Sequence, residues 1–266
     1  MSATSVIVPV AGQNTEIWSQ GEGTPLLFLH PGIGTTGSEP MLARLAREGR
    51  VIAPSHPGFG RSDLPTWFDT VDDLALFYLD LMEKLDLRDV TLIGADLGGW
   101  IAAEVAVRST ERISRLVLSG AVGIRVNDRD TPDLVDVYSL PRAELDKVRF
   151  LNPDVAKVDP AALSDDDARI IARNREAEAL FAWSPYMHNP KLARWLHRIR
   201  VPTLVLWGEE DKLAPLSYGR AFADAIPGAR FETIAQAGHY PHIEQPGIFA
   251  GRIAAFAAGA ALERAV

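Results

Sequence analysis

The sequence predicts an α/β fold: a mostly parallel sheet flanked by helices, with a helical insertion late in the chain. Three observations carry the prediction. Continuous apolar strand-like runs alternate with helix-like segments from Pro25 onward, as a parallel sheet covered on both faces requires. One of these runs, Val90-Thr91-Leu92-Ile93-Gly94, passes through a sharp turn into the helix-prone stretch Trp100 to Ala106. Between about Arg125 and Arg198 the strand runs stop, and only polar, proline-punctuated helical segments remain.

Taken in order, Ser5 to Val10 and Thr15 to Ser19 form two short strands around Gly12-Gln13-Asn14, an expected antiparallel hairpin. Pro25 to His30 is an apolar run followed by the loop His30-Pro31-Gly32-Ile33-Gly34. Met41 to Glu48 reads as a helix, Arg50 to Pro54 as a strand, and His56 to Asp63 as a Gly/Pro-rich turn. Val71 to Leu85 carries apolar residues at helical spacing, with Leu74, Phe77, Leu81 and Leu85 on one stripe. Arg115 to Gly120, Val201 to Gly208 and Arg230 to Ile234 are further strands, and Leu216 to Ala225 and Ile248 to Leu262 are helices. The expected organisation is a core of residues 1–124 and 199–266 interrupted by a helical lid over 125–198.

Composition excludes several function classes. With 47% hydrophobic residues the 266-residue chain can bury a sizeable core, which argues against disorder. A net charge of −8 without a basic run argues against nucleic acid or an anionic membrane surface as partner. The chain has no cysteine, so disulfides and thiolate chemistry are excluded. The first residues lack a basic stretch followed by an apolar one, and no uncharged apolar run is long enough to span a bilayer. The expectation is a cytoplasmic protein whose partner is a small-molecule substrate; a homodimer is left open.

Candidate functional groups follow the carboxyl ends of the strands, where open α/β sheets bind ligands. They are the His30 loop, Asp96 in the turn Gly94-Ala95-Asp96-Leu97-Gly98, the turn Gly208-Glu209-Glu210-Asp211, and Gly238-His239. With Pro57-Gly58-Phe59-Gly60-Arg61-Ser62 and the stretch His239 to Pro246, these motifs resemble the α/β-hydrolases over nearly the whole chain. The resemblance implies the α/β-hydrolase fold with Asp96 as nucleophile, His239 as general base and Asp211 as the acid that orients it. Asp128 and Asp130 are the fallback for the acid. It also implies an oxyanion hole from the backbone N–H of Leu97 and one from the His30 loop. Pro31 has no N–H, so Gly32 or Ile33 is the second donor. No cofactor and no metal is implied.

The central residue of the turn decides the chemistry. A serine there serves acyl carbons; a carboxylate that attacks a saturated carbon forms an ordinary alkyl ester, which activated water can then hydrolyse. The pattern is similar to the epoxide hydrolases and dehalogenases, and the leading expectation is an epoxide hydrolase. In those enzymes lid tyrosines donate to the epoxide oxygen, and Tyr138 and Tyr186 fall within the expected lid. His30, Tyr138, Tyr186 and Trp183 are therefore the expected pocket residues. A dehalogenase is the first alternative, although a tryptophan usually follows the nucleophile there and this chain has Leu97. The stretch Gly98 to Glu104 and the segment after Gly238 resemble the serine esterases and carbon–carbon hydrolases. A member of that branch with Asp in place of Ser, or a non-catalytic small-molecule binder, completes the set.

Overall fold

The computed structural model describes residues 3–128, 130–157 and 159–259. Its elements in chain order are β1 (Thr4–Val10), β2 (Gln13–Gln20), β3 (Pro25–Leu29), α1 (Glu39–Leu45), β4 (Arg50–Pro54), α2 (Val71–Lys84), β5 (Val90–Ala95), α3 (Leu97–Arg108) and β6 (Ile113–Ser119). The inserted segment follows, with α4 (Arg142–Arg149), α5 (Asp165–Ala182) and α6 (Leu192–Trp195). The sheet then resumes with β7 (Thr203–Gly208), α7 (Leu216–Asp224), β8 (Arg230–Ile234), α8 (Pro241–Glu244) and α9 (Pro246–Ala257).

The eight strands form one sheet in the order β1-β2-β4-β3-β5-β6-β7-β8. β1 and β2 pair antiparallel, β2 joins β4 antiparallel, and the remaining pairs are parallel. The hairpin closes at Ala11-Gly12, both at positive φ (48° and 81°), because two such residues match the twist of the flanking strands. The expected turn at Gly12-Gln13-Asn14 lies slightly too late, since Gln13 and Asn14 already pair with Val10 and Pro9.

Alternate strand residues feed two cores, as the two-residue period dictates. Leu92, Val205 and Trp207 pack toward α2, α3 and α7, whereas Ile93, Leu204 and Leu206 pack toward α1 and α9. Thr70 caps α2 reciprocally with Asp73, which sets its start. α1 begins earlier than expected, at Glu39, because Pro40 is tolerated in a first helical turn. β7 begins later than Val201: Pro202 offers its carbonyl to Leu116 but has no N–H to continue the ladder. α9 ends at Ala257, and residues 260–262 of the expected helix lie outside the described residues. Among the described residues no helix is long and apolar enough to cross a membrane.

β5 lies between β3 and β6, inside the sheet, so its carboxyl end opens where neighbouring strands also end. The loops after β3, β5, β7 and β8 converge there, and α4 and α5 of the inserted segment face them.

Candidate active site

The turn after β5 is built for close approach. A Cβ on Gly94 would lie 2.3 Å from the Gly98 carbonyl oxygen, one on Gly98 2.1 Å from the Leu29 oxygen, and one on Gly99 2.5 Å from Ala121 Cβ. Only glycine fits these three positions. The tight turn holds Asp96 at φ 52° and ψ −117°, a strained conformation for a residue with a side chain. Its N–H donates to Ser119 O, and its carbonyl accepts from Gly99 and Trp100 as α3 begins.

The two oxygens of the buried Asp96 carboxylate face different partners. Oδ2 accepts the Gly32 backbone N–H at 3.1 Å and the Tyr240 hydroxyl at 3.3 Å. Oδ1 stands 3.4 Å from His239 Nε2, close enough for strong charge attraction but without an aligned hydrogen bond. His239 Nδ1 lies 2.8 Å from Asp211 Oδ2. Asp211 is itself held by the Leu213 and Ala214 N–H groups, both 2.9 Å from Oδ1. Asp96, His239 and Asp211 thus meet in one buried row. Asp128 instead accepts from Asp130 and Thr131 in its own turn, at the surface.

The charges are mutually dependent. Burial pushes the His239 imidazole toward neutrality, but the Asp211 and Asp96 carboxylates outweigh it and raise the pKa to about 10. Burial pushes Asp96 up, yet His239, Arg149 and the Gly32 N–H together hold it below the usual carboxylate value. Both shifts favour a protonated imidazole beside an ionised Asp96.

Around this row the structure separates the other expected residues. Gly32 and Ile33 reach the site: Gly32 donates to Asp96, and both line the adjoining cavity. Leu97 follows Asp96 as the first residue of α3. His30 does not line the cavity. Its Nδ1 donates to Pro31 O and its Nε2 accepts from the His56 N–H, while His56 Nε2 bonds back to His30 O at 2.8 Å. Burial lowers its pKa to about 4, so it is a neutral brace of the loop. Tyr186 also lies elsewhere: its hydroxyl donates to Val135 O and accepts from Val137 N, tying the inserted segment to itself. Trp183 is 59% exposed and packs its ring edge against Tyr138 outside the cavity. Tyr138 does line the cavity, and its buried hydroxyl has no hydrogen-bond partner among the described residues.

The cavity has a volume of about 610 Å³ and lies between the sheet's carboxyl end and helices α4 and α5. Its walls contain residues with no sequence signal of their own. Arg149 and Glu178 form a buried pair at 3.4 Å, and the Arg149 carbonyl accepts the His239 N–H at 2.9 Å. Glu178 presses on Gly32, where any Cβ would fall 2.0 Å from its Oε1. Asn174 bridges the Ile33 carbonyl and the Gly60 N–H. Tyr240, adjacent to His239, is the one missed residue that proximity in sequence could have flagged. Among the described residues no group of three or more His, Asp or Glu side chains is placed to share a metal ion.

Comparison with known proteins agrees with the fold. A family model described as alpha/beta hydrolase fold matches residues 24–246. The chain is 28% identical over 265 residues to a 2-hydroxymuconate semialdehyde hydrolase of Pseudomonas sp. (strain CF600), covering 94% of this chain and 92% of the relative. It is 30% identical over 275 residues to an enzyme of the same name from Pseudomonas putida, again covering 94% and 92%. A solved serine hydrolase involved in carbazole degradation superposes with a TM-score of 0.78 at 23% identity, covering 97% of this chain and 99% of the other.

Proposed function

The chain belongs to the α/β-hydrolase family and is a hydrolase, and from that premise we propose that it cleaves a small organic molecule through a covalent ester on Asp96. The observation that carries this reading is the division of the Asp96 carboxylate. Oδ2 occupies the position that an oxyanion would take, against the Gly32 N–H, and leaves Oδ1 as the attacking atom beside His239. A substrate carbonyl oxygen would have to displace Oδ2 to enter that hole, whereas attack by Oδ1 on a saturated carbon needs no such displacement.

In the first step Oδ1 forms a bond to the electrophilic carbon and the bond from that carbon to its leaving group breaks. Alkylation removes the negative charge on Asp96, and with it one of the two carboxylates that keep His239 protonated. His239 can then give up its proton, which makes good the one taken up by the oxygen freed in the first step, and as neutral imidazole it takes another from water. The resulting hydroxide adds to the Asp96 carboxyl carbon, and the Gly32 and Leu97 N–H groups receive the charge that develops on Oδ2. Collapse of the tetrahedral intermediate frees the alcohol product and returns the carboxylate. Among electrophiles we favour an epoxide over an organohalide. Tyr138 lines the cavity, and a turn of its side chain would let its hydroxyl, now buried without an internal partner, donate to the opening oxygen, whereas Leu97 has no side-chain N–H for a halide.

A second reading is supported by the relatives, two of which are named 2-hydroxymuconate semialdehyde hydrolases. In it the chain cleaves a carbon–carbon bond or an ester, with Asp96 in place of serine and His239 directing water onto the substrate carbonyl. A single turnover in heavy-oxygen water, with enzyme in excess, separates the two. The covalent route puts the first label into Asp96 and leaves the first product unlabelled; direct attack labels the product at once. The substrate panel is styrene oxide, a bromoalkane and a dienone acid. An absence of label in Asp96 with all three would remove the covalent reading.

A further inference from the structure

We propose that Asn174 of α5 is a positioning residue for the active site: it starts a directed chain of hydrogen bonds that aims the Gly32 N–H at Asp96 and strengthens it as a donor. The proposal rests on the reading above only in giving that N–H the charge that develops on Oδ2. The placement itself is independent of how Asp96 reacts.

The chain can be followed bond by bond. The buried Asn174 side chain accepts the Gly60 N–H on Oδ1 at 2.9 Å and donates from Nδ2 to the Ile33 carbonyl at 3.3 Å. A backbone N–H on one side and a carbonyl on the other admit only this orientation of the amide. Ile33 O and Gly34 N belong to one planar peptide, and the Gly34 N–H donates to Pro31 O at 2.9 Å. Pro31 O and Gly32 N belong to a second planar peptide, whose N–H donates to Asp96 Oδ2 at 3.1 Å. Every bond points the same way, from α5 toward the carboxylate, so each polarises the peptide after it. His30 Nδ1 adds a further donor to Pro31 O at 2.7 Å.

The helix is seated to do this. A Cβ on Gly34 would fall 2.4 Å from Asn174 Nδ2 and one on Gly58 3.2 Å from Ala177 Cβ, and Glu178, one helical turn after Asn174, presses on Gly32. Glycines in two loops thus let one face of α5 settle directly on their backbone. The neighbouring Arg173 holds the Gly60 and Ser62 carbonyls instead, and among the described residues it makes no hydrogen bond to residues 31–34. A helix of the inserted segment therefore completes the site, and the Gly32 donor is fully aimed only while α5 lies on its loop.

The experiment is amide hydrogen exchange followed by NMR at neutral pH. Asn174→Asp keeps an acceptor for Gly60 but sets a carboxylate oxygen against the Ile33 carbonyl. Protection at Gly32 and Gly34 should then fall by about tenfold or more, the worth of one charge-assisted hydrogen bond, and the Gly32 amide proton should move upfield. Gly60 should keep its protection in Asn174→Asp and lose it, together with Gly32 and Gly34, in Asn174→Ala. Arg173→Gln weakens the grip of α5 without cutting the chain and should leave Gly32 protected. Ile93 and Leu118, in the central strands, report global stability, and their protection should fall less than that of Gly32. On an accepted substrate, Asn174→Asp should also slow loss of the Asp96 adduct by about tenfold or more in intact-mass spectra. Release of Gly32 without slower adduct loss would support the placement and count against the use of Gly32 in the covalent reading. Unchanged Gly32 protection in both Asn174 variants, a loss at Gly32 no greater than at Ile93 and Leu118, or an equal loss in Arg173→Gln would each overturn the proposal.

Discussion

Replacing Asp96 by asparagine should drop the pKa of His239 by about three units, and this change underlies the proposed switch from nucleophile to base. The substitution keeps the shape of the side chain and removes its charge, as alkylation would. His239 Nε2 and Asp96 Oδ1 are 3.4 Å apart; with an effective dielectric constant of about 20, two unit charges at that separation attract by about 5 kcal/mol. At about 1.4 kcal/mol per pKa unit this corresponds to about 3.5 units, an upper figure because the imidazolium charge is spread over its ring. The wild-type value of about 10 should therefore fall to about 7 in Asp96→Asn, where neutral imidazole is available near neutral pH. Asp211 still faces Nδ1 at 2.8 Å, so the value should not fall far below the ordinary histidine range. The assay is an NMR titration of the imidazole carbons, with His239→Gln identifying the resonance. If the Asp96→Asn protein still titrates His239 near 10, or if the wild type already titrates near 6.5, the charge-release argument is wrong.

Further outcomes can be checked independently. His239→Gln should permit alkylation but slow ester hydrolysis by about 10²-fold or more, so intact-mass spectra should show the protein plus the substrate fragment; an unmodified mass after turnover-length incubation with an accepted substrate counts against the mechanism. Tyr138→Phe should leave thermal stability unchanged or slightly raised, because its hydroxyl is buried without a partner, yet slow epoxide opening by about 10²-fold. Tyr186→Phe should do the reverse: it loses the bonds to Val135 and Val137 and about 1–3 kcal/mol of stability, with epoxide opening spared. Stability should also be dome-shaped in pH. His239 is raised to about 10 in the folded chain, so its contribution is full below pH 6.5 and is lost as pH rises through 10. His30 and His242 are lowered by burial to about 4 and about 3, so their contribution is present above pH 6.5 and is lost as pH falls through those values. Urea midpoints measured between pH 4 and 10 should peak near pH 6.5, and a flat profile would contradict both assignments.

What the sequence by itself determined was everything governed by short-range sterics and periodicity. Gly94, Gly98 and Gly99 stand so close to Asp96 in the chain that a strand, a strained turn and a helix are the economical reading, and the contacts a Cβ would meet at each bear it out. The alternation of buried runs and amphipathic helices likewise requires a parallel sheet, whose strand ends place the His30 loop, Asp96, Asp211 and His239 on one side. Tertiary structure decided the pairings. His30, Tyr138, Tyr186 and Trp183 all occur in plausible places along the chain, yet only Tyr138 lines the cavity. His30 is turned into its own loop by His56, and Tyr186 is captured by the backbone of Val135 and Val137. Arg149 and Glu178 lie 29 positions apart on separate helices of a polar segment whose surface charges look alike in sequence. Which of those charges is buried depends on how α4 and α5 rotate onto the sheet's carboxyl end. That rotation follows from the summed packing of many side chains, each worth little, and no single stretch of sequence encodes it.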